Sequence, residues 1–148
     1  MRNPVSFVII TMIKKILISF LVIIFVLFIY VFYMVFTSTG EDPCLKAEND
    51  IMTLSTAIQF YKLDNGMYPS TEQGLLALIK KTKIKPLPTN WRLQGYLDSD
   101  EKLIDPWGNE YQYYCPGKHG DFDIFSLGKD NKIGGEHQNM DINNWEIN

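Results

Sequence analysis

The chain has 148 residues and a formal net charge of −3, which allows one domain beside a membrane segment. All seventeen Asp and Glu follow Phe36, with eleven of the fourteen Lys and Arg, so the C-terminal part carries about −6. Such an acidic domain excludes nucleic-acid binding, which needs clustered positive charge against phosphates. No nucleophile-elbow, phosphate-loop or dinucleotide motif is present, so neither an enzyme nor a small-molecule substrate is expected.

Ile16 to Phe36 (ILISFLVIIFVLFIYVFYMVF) is uncharged over twenty-one residues. As a helix it is about 31 Å long, enough for a hydrocarbon core of roughly 30 Å. The run exceeds the ~7–15 apolar residues of a secretory signal, and Val35 to Gly40 makes a poor cleavage site. We read residues 16–36 as a single-pass membrane helix. Arg2, Lys14 and Lys15 precede it, and Glu41 and Asp42 follow. The positive-inside rule then places residues 1–15 in the cytoplasm and the acidic domain outside. Val5 to Ile13 is also apolar and either extends the helix or lies in the interface.

Thr37 to Pro43 reads as a linker, because Gly40 and Pro43 disfavour helix. Beyond it, Ala47, Ile51, Leu54, Ile58 and Tyr61 recur at steps of four and three. That stripe predicts an amphipathic helix over Cys44–Leu63 that ends at Asp64-Asn65-Gly66. One helix running through membrane and domain, bent at Gly40, is the expected shape. Ser70 with Gln73 forms a capping-box pattern and predicts a second, short helix over Thr71–Lys81. The basic run Lys80 to Lys85 (KKTKIK) reads as a solvated helix end, with a partner site as the alternative.

After the loop at Pro86, Pro88 and Asn90 the period shortens. Gly95-Tyr96-Leu97 and Leu103-Ile104 read as short extended pieces. Glu110–Cys115 and Phe122–Leu127 alternate well enough for strands, joined by the hairpin-like Pro116–Gly120. The expected class is α+β, with helices first and a small antiparallel sheet after them. Asp121 and Asp123 read as an exposed edge rather than a catalytic pair, and His119 as a turn residue.

Cys44 and Cys115 face an oxidising compartment if the domain is outside, and are the candidates for a disulfide. Two unpaired thiols are the plain alternative. A zinc site from Cys44, Cys115, His119 and His137 matches no standard spacing.

The segment from Gly128 to Ile142 has three glycines and few apolar side chains. Asp130, Glu136 and Asp141 offer carboxylates, and Asn131 and Asn139 further oxygens. A hard cation such as calcium takes six to eight oxygens at ~2.3–2.6 Å, often mixing carboxylates with backbone carbonyls. The spacing is not that of an EF-hand, and a solvated acidic turn is the competing reading. Ile142 and Trp145 argue that the tail packs.

The ordered set Leu63-Asp64-Asn65-Gly66, Tyr68-Pro69-Ser70-Thr71-Glu72-Gln73-Gly74-Leu75, Gly95-Tyr96-Leu97, Asp105-Pro106-Trp107-Gly108-Asn109, Ser126-Leu127-Gly128 with Asp130, Gly134-Gly135-Glu136 and Asp141-Ile142 resembles the major pseudopilin of bacterial type II secretion, the GspG family. The resemblance covers about Ala47 to Trp145. It implies a pilin-like fold with a long N-terminal helix, an inner-membrane anchor and a periplasmic head over 44–148. It also implies partnership with other pseudopilin subunits and secretion-platform proteins. A structural calcium ion is implied in the final loop, held by Asp130, Asp141 and the carbonyls of Leu127 and Lys132. Glu136 is added from its chemistry alone.

The family's prepilin motif, a Gly followed by Phe-Thr-Leu-Ile-Glu, is not matched: Phe7 follows Ser6 and leads into Val8-Ile9-Ile10-Thr11. Two readings follow from the sequence. One is a pseudopilin subunit of a type II secretion or related pilus-like machine. The other is a membrane-anchored, non-polymerising head acting as an accessory or binding module.

Overall fold

The computed structural model describes residues 4–38 and 40–147. Arg2, read above as a cytoplasmic cation, and Thr39 of the expected linker lie outside the described residues. The chain divides into two units at Gly40.

The first unit is helix α1, Pro4–Ser38. Its stretch Thr11–Phe36 is long and apolar enough to cross a membrane, and every side chain there is exposed. The apolar residues ahead of Lys14 belong to the same helix.

The second unit starts with α2, Pro43–Asn65. Residues 40–42 ahead of it are not helical. The Asp42 carboxylate accepts the Cys44 N–H at 2.9 Å as N-cap, and Pro43 occupies the first turn, where its missing N–H costs nothing. Gly66 closes the other end at φ +75°, donating its N–H to the Lys62 carbonyl at 2.7 Å. The buried face is the stripe read from the sequence, Ala47, Ile51, Leu54, Ile58 and Tyr61, with Ala57 added.

The second expected helix is a correction. Ser70 and Gln73 do form the reciprocal capping bonds, at 3.0 and 3.3 Å. Gly74 then takes φ +60° and ends the turn, leaving only a 3₁₀ helix over Leu75–Leu78. Leu103 likewise closes a 3₁₀ helix, Asp100–Leu103, and Ile104 alone bridges to Glu110.

The sheet has three antiparallel strands in the order β1 (Gln112–Tyr114), β2 (Asp123–Ser126), β3 (Ile142–Asn143). Tyr113 pairs with Ile124, and Ser126 with Ile142. One face lies on α2, so the core joins the α2 stripe to Leu78, Tyr111, Tyr113, Phe122, Ile124 and Ile142. Of the three buried tyrosines, Tyr111 and Tyr113 keep a polar partner, and the Tyr61 hydroxyl has none among the described residues. Tyr113 donates to the Pro69 carbonyl at 2.8 Å and Tyr111 to Asp50 at 3.2 Å. Burial pushes both phenols well above their ordinary pKa.

Candidate functional site

The β2–β3 connection, Leu127 to Asp141, carries the residues expected to hold an ion. The sheet sets its geometry. Because Ser126 pairs with Ile142, Leu127 and Asp141 stand opposite each other where the loop leaves and rejoins the sheet.

A buried carboxylate fixes the near end. Asp105 accepts N–H bonds from Trp107 (3.0 Å) and Asn109 (2.8 Å), and the Ser126 hydroxyl at 2.7 Å. The Ser126 oxygen then accepts the Gly128 N–H at 3.0 Å, and the Asn109 amide donates to the Gly128 carbonyl at 3.1 Å. The Asp-Pro-Trp-Gly-Asn turn therefore holds the root of the loop. Gly128 sits at φ +65°, and a Cβ there would stand 2.8 Å from the Met140 carbonyl oxygen, so only glycine fits.

Within the loop, Lys129 N–H donates to the Gln138 carbonyl at 2.8 Å and folds the segment on itself. Asn131 and His137 both take positive φ, 53° and 56°. Asp130 Oδ1 accepts the Lys132 N–H at 3.2 Å. Asp141 Oδ2 accepts the Gly134 N–H at 2.9 Å, while its Oδ1 is buried with no hydrogen-bond partner. A buried carboxylate oxygen without a donor is unfavourable unless a cation faces it.

Asp130, Lys132 and Glu136 are exposed, Leu127 and Asp141 partly buried. Among the described residues, no three His, Cys, Asp or Glu side chains gather as a metal cluster. Asp130, Glu136 and Asp141 are thus not brought together as a set of three, and the zinc alternative finds no such group either. Asp130 and Asp141 each accept one backbone N–H within the loop. Glu136 precedes a short 3₁₀ turn, His137–Asn139, without capping it.

Cys44 and Cys115 are not bonded to each other in this structure. Cys44 lies in the first turn of α2 against the His137 carbonyl, at 3.7 Å. Cys115 follows β1 and exchanges bonds with Thr71, beyond the other end of that helix.

Asp123 is a second correction. It is buried, 4% exposed, not an exposed edge. Burial alone would raise its pKa, but the N–H groups of Lys118 (2.8 Å) and His119 (3.2 Å) and the His119 ring (3.0 Å) hold it below the usual carboxylate range. Trp145 packs, as the sequence argued for the tail, though its partners were not readable from spacing. Its indole stacks on His119, with Phe125 set edge-on beside it.

The family described as Type II secretion system (T2SS), protein G matches residues 34–145. Type II secretion system core protein G of Pseudomonas aeruginosa is 52% identical over 101 residues, covering 68% of this chain and 69% of that protein. The protein of the same name from Vibrio cholerae is 50% identical over 102 residues, covering 69% and 68%. The crystal structure of the major pseudopilin from the type 2 secretion system of enterohaemorrhagic Escherichia coli superposes with a TM-score of 0.61 at 42% identity. That likeness covers 70% of this chain and 86% of the other.

Proposed function

The chain belongs to the type II secretion system protein G family, and from that premise we propose an inner-membrane pseudopilin whose periplasmic head is braced by calcium. Its role in secretion is structural, as a pseudopilin with a pilin-like α+β fold, and not enzymatic. The match over residues 34–145 carries this conclusion, because it spans nearly the whole head.

Orientation follows from charge. Lys14 and Lys15 stay on the cytoplasmic side, α1 crosses, and the acidic head lies in the periplasm. Other pseudopilin subunits and the secretion platform are its partners.

The calcium ligands we propose are Asp130, Asp141 and the carbonyls of Leu127 and Lys132, with Glu136 a further candidate. The buried, donor-free Asp141 Oδ1 supports this set. So does the tight folding of the loop at Gly128 and Asn131, both at positive φ. An ion held by these residues would supply positive charge between the loop and the β2–β3 edge.

Removing the gene tests the reading. Folded exoproteins should disappear from the medium and return on complementation; an unchanged supernatant contradicts it. A second reading, a membrane-anchored head that does not polymerise, is favoured by one observation. The sequence around Phe7 lacks the family's glycine and glutamate, and residues 1–33 lie outside the matched stretch. Intact mass of the mature protein separates the two. Loss of an N-terminal leader fits the polymerising subunit, and an uncut N-terminus fits the other.

A further inference from the structure

The four lysines of the run Lys80–Lys85 take no part in the ion loop or the core. In the sequence they read as a solvated helix end, yet the 3₁₀ helix closes at Leu78 and leaves no long helix for them to cap. We propose that this run, together with Ile84 and Leu87, docks the head on an anionic lipid surface.

The segment is held from beneath. Gln73 is buried, and its amide donates to the carbonyls of Ile84 and Pro86, both at 2.7 Å. Pro88 is buried behind them, and the Trp91 indole donates to the Ala77 carbonyl at 2.9 Å. Lys80, Lys81, Lys83 and Lys85 stay exposed, and none forms an ion pair among the described residues. Ile84 and Leu87 stand between and beside these cations, 47% and 50% exposed. A loop tied down in this way has little freedom left to lose on docking.

Charge and apolar content together select the occupant. Residues 73–97 hold five basic residues and no acidic one, within a domain of about −6. Of the five only Arg92 is paired, to Asp64. Such an island attracts phosphate-bearing partners, and Ile84 and Leu87 favour lipid among them. At a bilayer those two side chains enter the boundary between headgroups and acyl chains, while the lysine stems cover apolar surface and the ammonium groups remain at the phosphates. A soluble polyanion offers no such apolar layer. Helix α1 is long and apolar enough to cross a membrane, so the tethered head has a bilayer at high effective concentration. The run lies beside the Gly66 end of α2, where the Asn90 N–H donates to Asn65 at 2.9 Å. The ion loop meets the other end of that helix at Cys44, so docking leaves it uncovered.

Co-flotation with vesicles tests this. The full chain is held in discs of phosphatidylcholine, so that only the added vesicles are anionic. Vesicles of equal parts phosphatidylglycerol and phosphatidylcholine should carry the discs, whereas pure phosphatidylcholine vesicles and empty discs should show no binding. K83E/K85E should weaken binding at least about tenfold, because each lysine near an anionic surface contributes a factor of about five. Ile84→Ser with Leu87→Ser should weaken it severalfold. K102E/K118E, the same change in net charge outside the run, should leave it near wild type. No flotation with the anionic vesicles overturns the proposal, as does equal flotation with phosphatidylcholine alone. Binding that K83E/K85E leaves unchanged, or that K102E/K118E lowers as much, also overturns it, since net charge then acts without the run. Binding indifferent to the loss of Ile84 and Leu87 removes lipid as the occupant. Vesicle binding needs no other secretion component, so its loss with export still dependent on the gene removes this contact and leaves the pseudopilin reading intact.

Discussion

The imidazole of His119 lies nearly flat on the indole of Trp145, ring centroids 3.9 Å apart and planes at 17°. This pair links the β1–β2 hairpin to the C-terminal tail, which otherwise enters the sheet through the two residues of β3. Asn144 adds to the link, donating its N–H to the Ile124 carbonyl at 3.0 Å and accepting the Ile124 N–H at 2.8 Å. Trp145→Ala should therefore loosen the tail while α2 and β1–β2 persist. We expect a loss of about 1–3 kcal/mol in urea melts, and faster amide exchange at Ile142 and Asn143 than at Ile124. Equal exchange at all three would refute the link.

Asp123 gives the hairpin a pH dependence of defined sign. Its folded pKa lies below the ordinary value of about 3.9, so its contribution is fully present above that value and fades as pH falls through the folded pKa. Asp123→Asn should cost about 1–3 kcal/mol at neutral pH. The gap between wild type and variant should narrow below about pH 4. Denaturant melts from pH 6 to pH 2 measure it, and a gap constant with pH contradicts the assignment.

Core and surface leucines should behave differently although they look alike in sequence. Leu54 is fully buried on α2 and Leu93 is 92% exposed. Leu54→Ala should cost about 2–5 kcal/mol, and Leu93→Ala less than about 0.5. Chemical denaturation of both variants checks this.

How much of this was legible depends on how each element is stabilised. The α2 stripe from Ala47 to Tyr61 was readable because a long helix repeats its buried positions many times. The segment after Ser70 was misread because one residue decided it: the capping box formed, but Gly74 at positive φ stopped propagation after a turn. β3 is two residues long, too short for any alternation, and is defined only by its pairing with β2. The burial of Asp123 was hidden for a similar reason. Its charge is tolerated only because the hairpin backbone turns two N–H groups onto it, an arrangement absent from local spacing. In the candidate ion loop, residue types were readable, whereas the orphaned Asp141 oxygen and the aromatic wall at Trp145 arise from tertiary contact.

Removing calcium should expose the role of the β2–β3 connection. EGTA should lower the thermal midpoint by several degrees, and calcium in excess should restore it, since an ion bound only to the native state stabilises by mass action. Asp141→Asn should abolish that response while leaving the chelated midpoint nearly unchanged. A melt indifferent to EGTA in the wild type contradicts the proposed site.

Every functional role proposed for the head requires the proposed orientation, with α1 delivering it across the inner membrane. Protease added to intact spheroplasts should digest the acidic C-terminal domain and leave a protected N-terminal fragment containing Lys14 and Lys15. A head that survives while a periplasmic control protein is degraded would contradict the account.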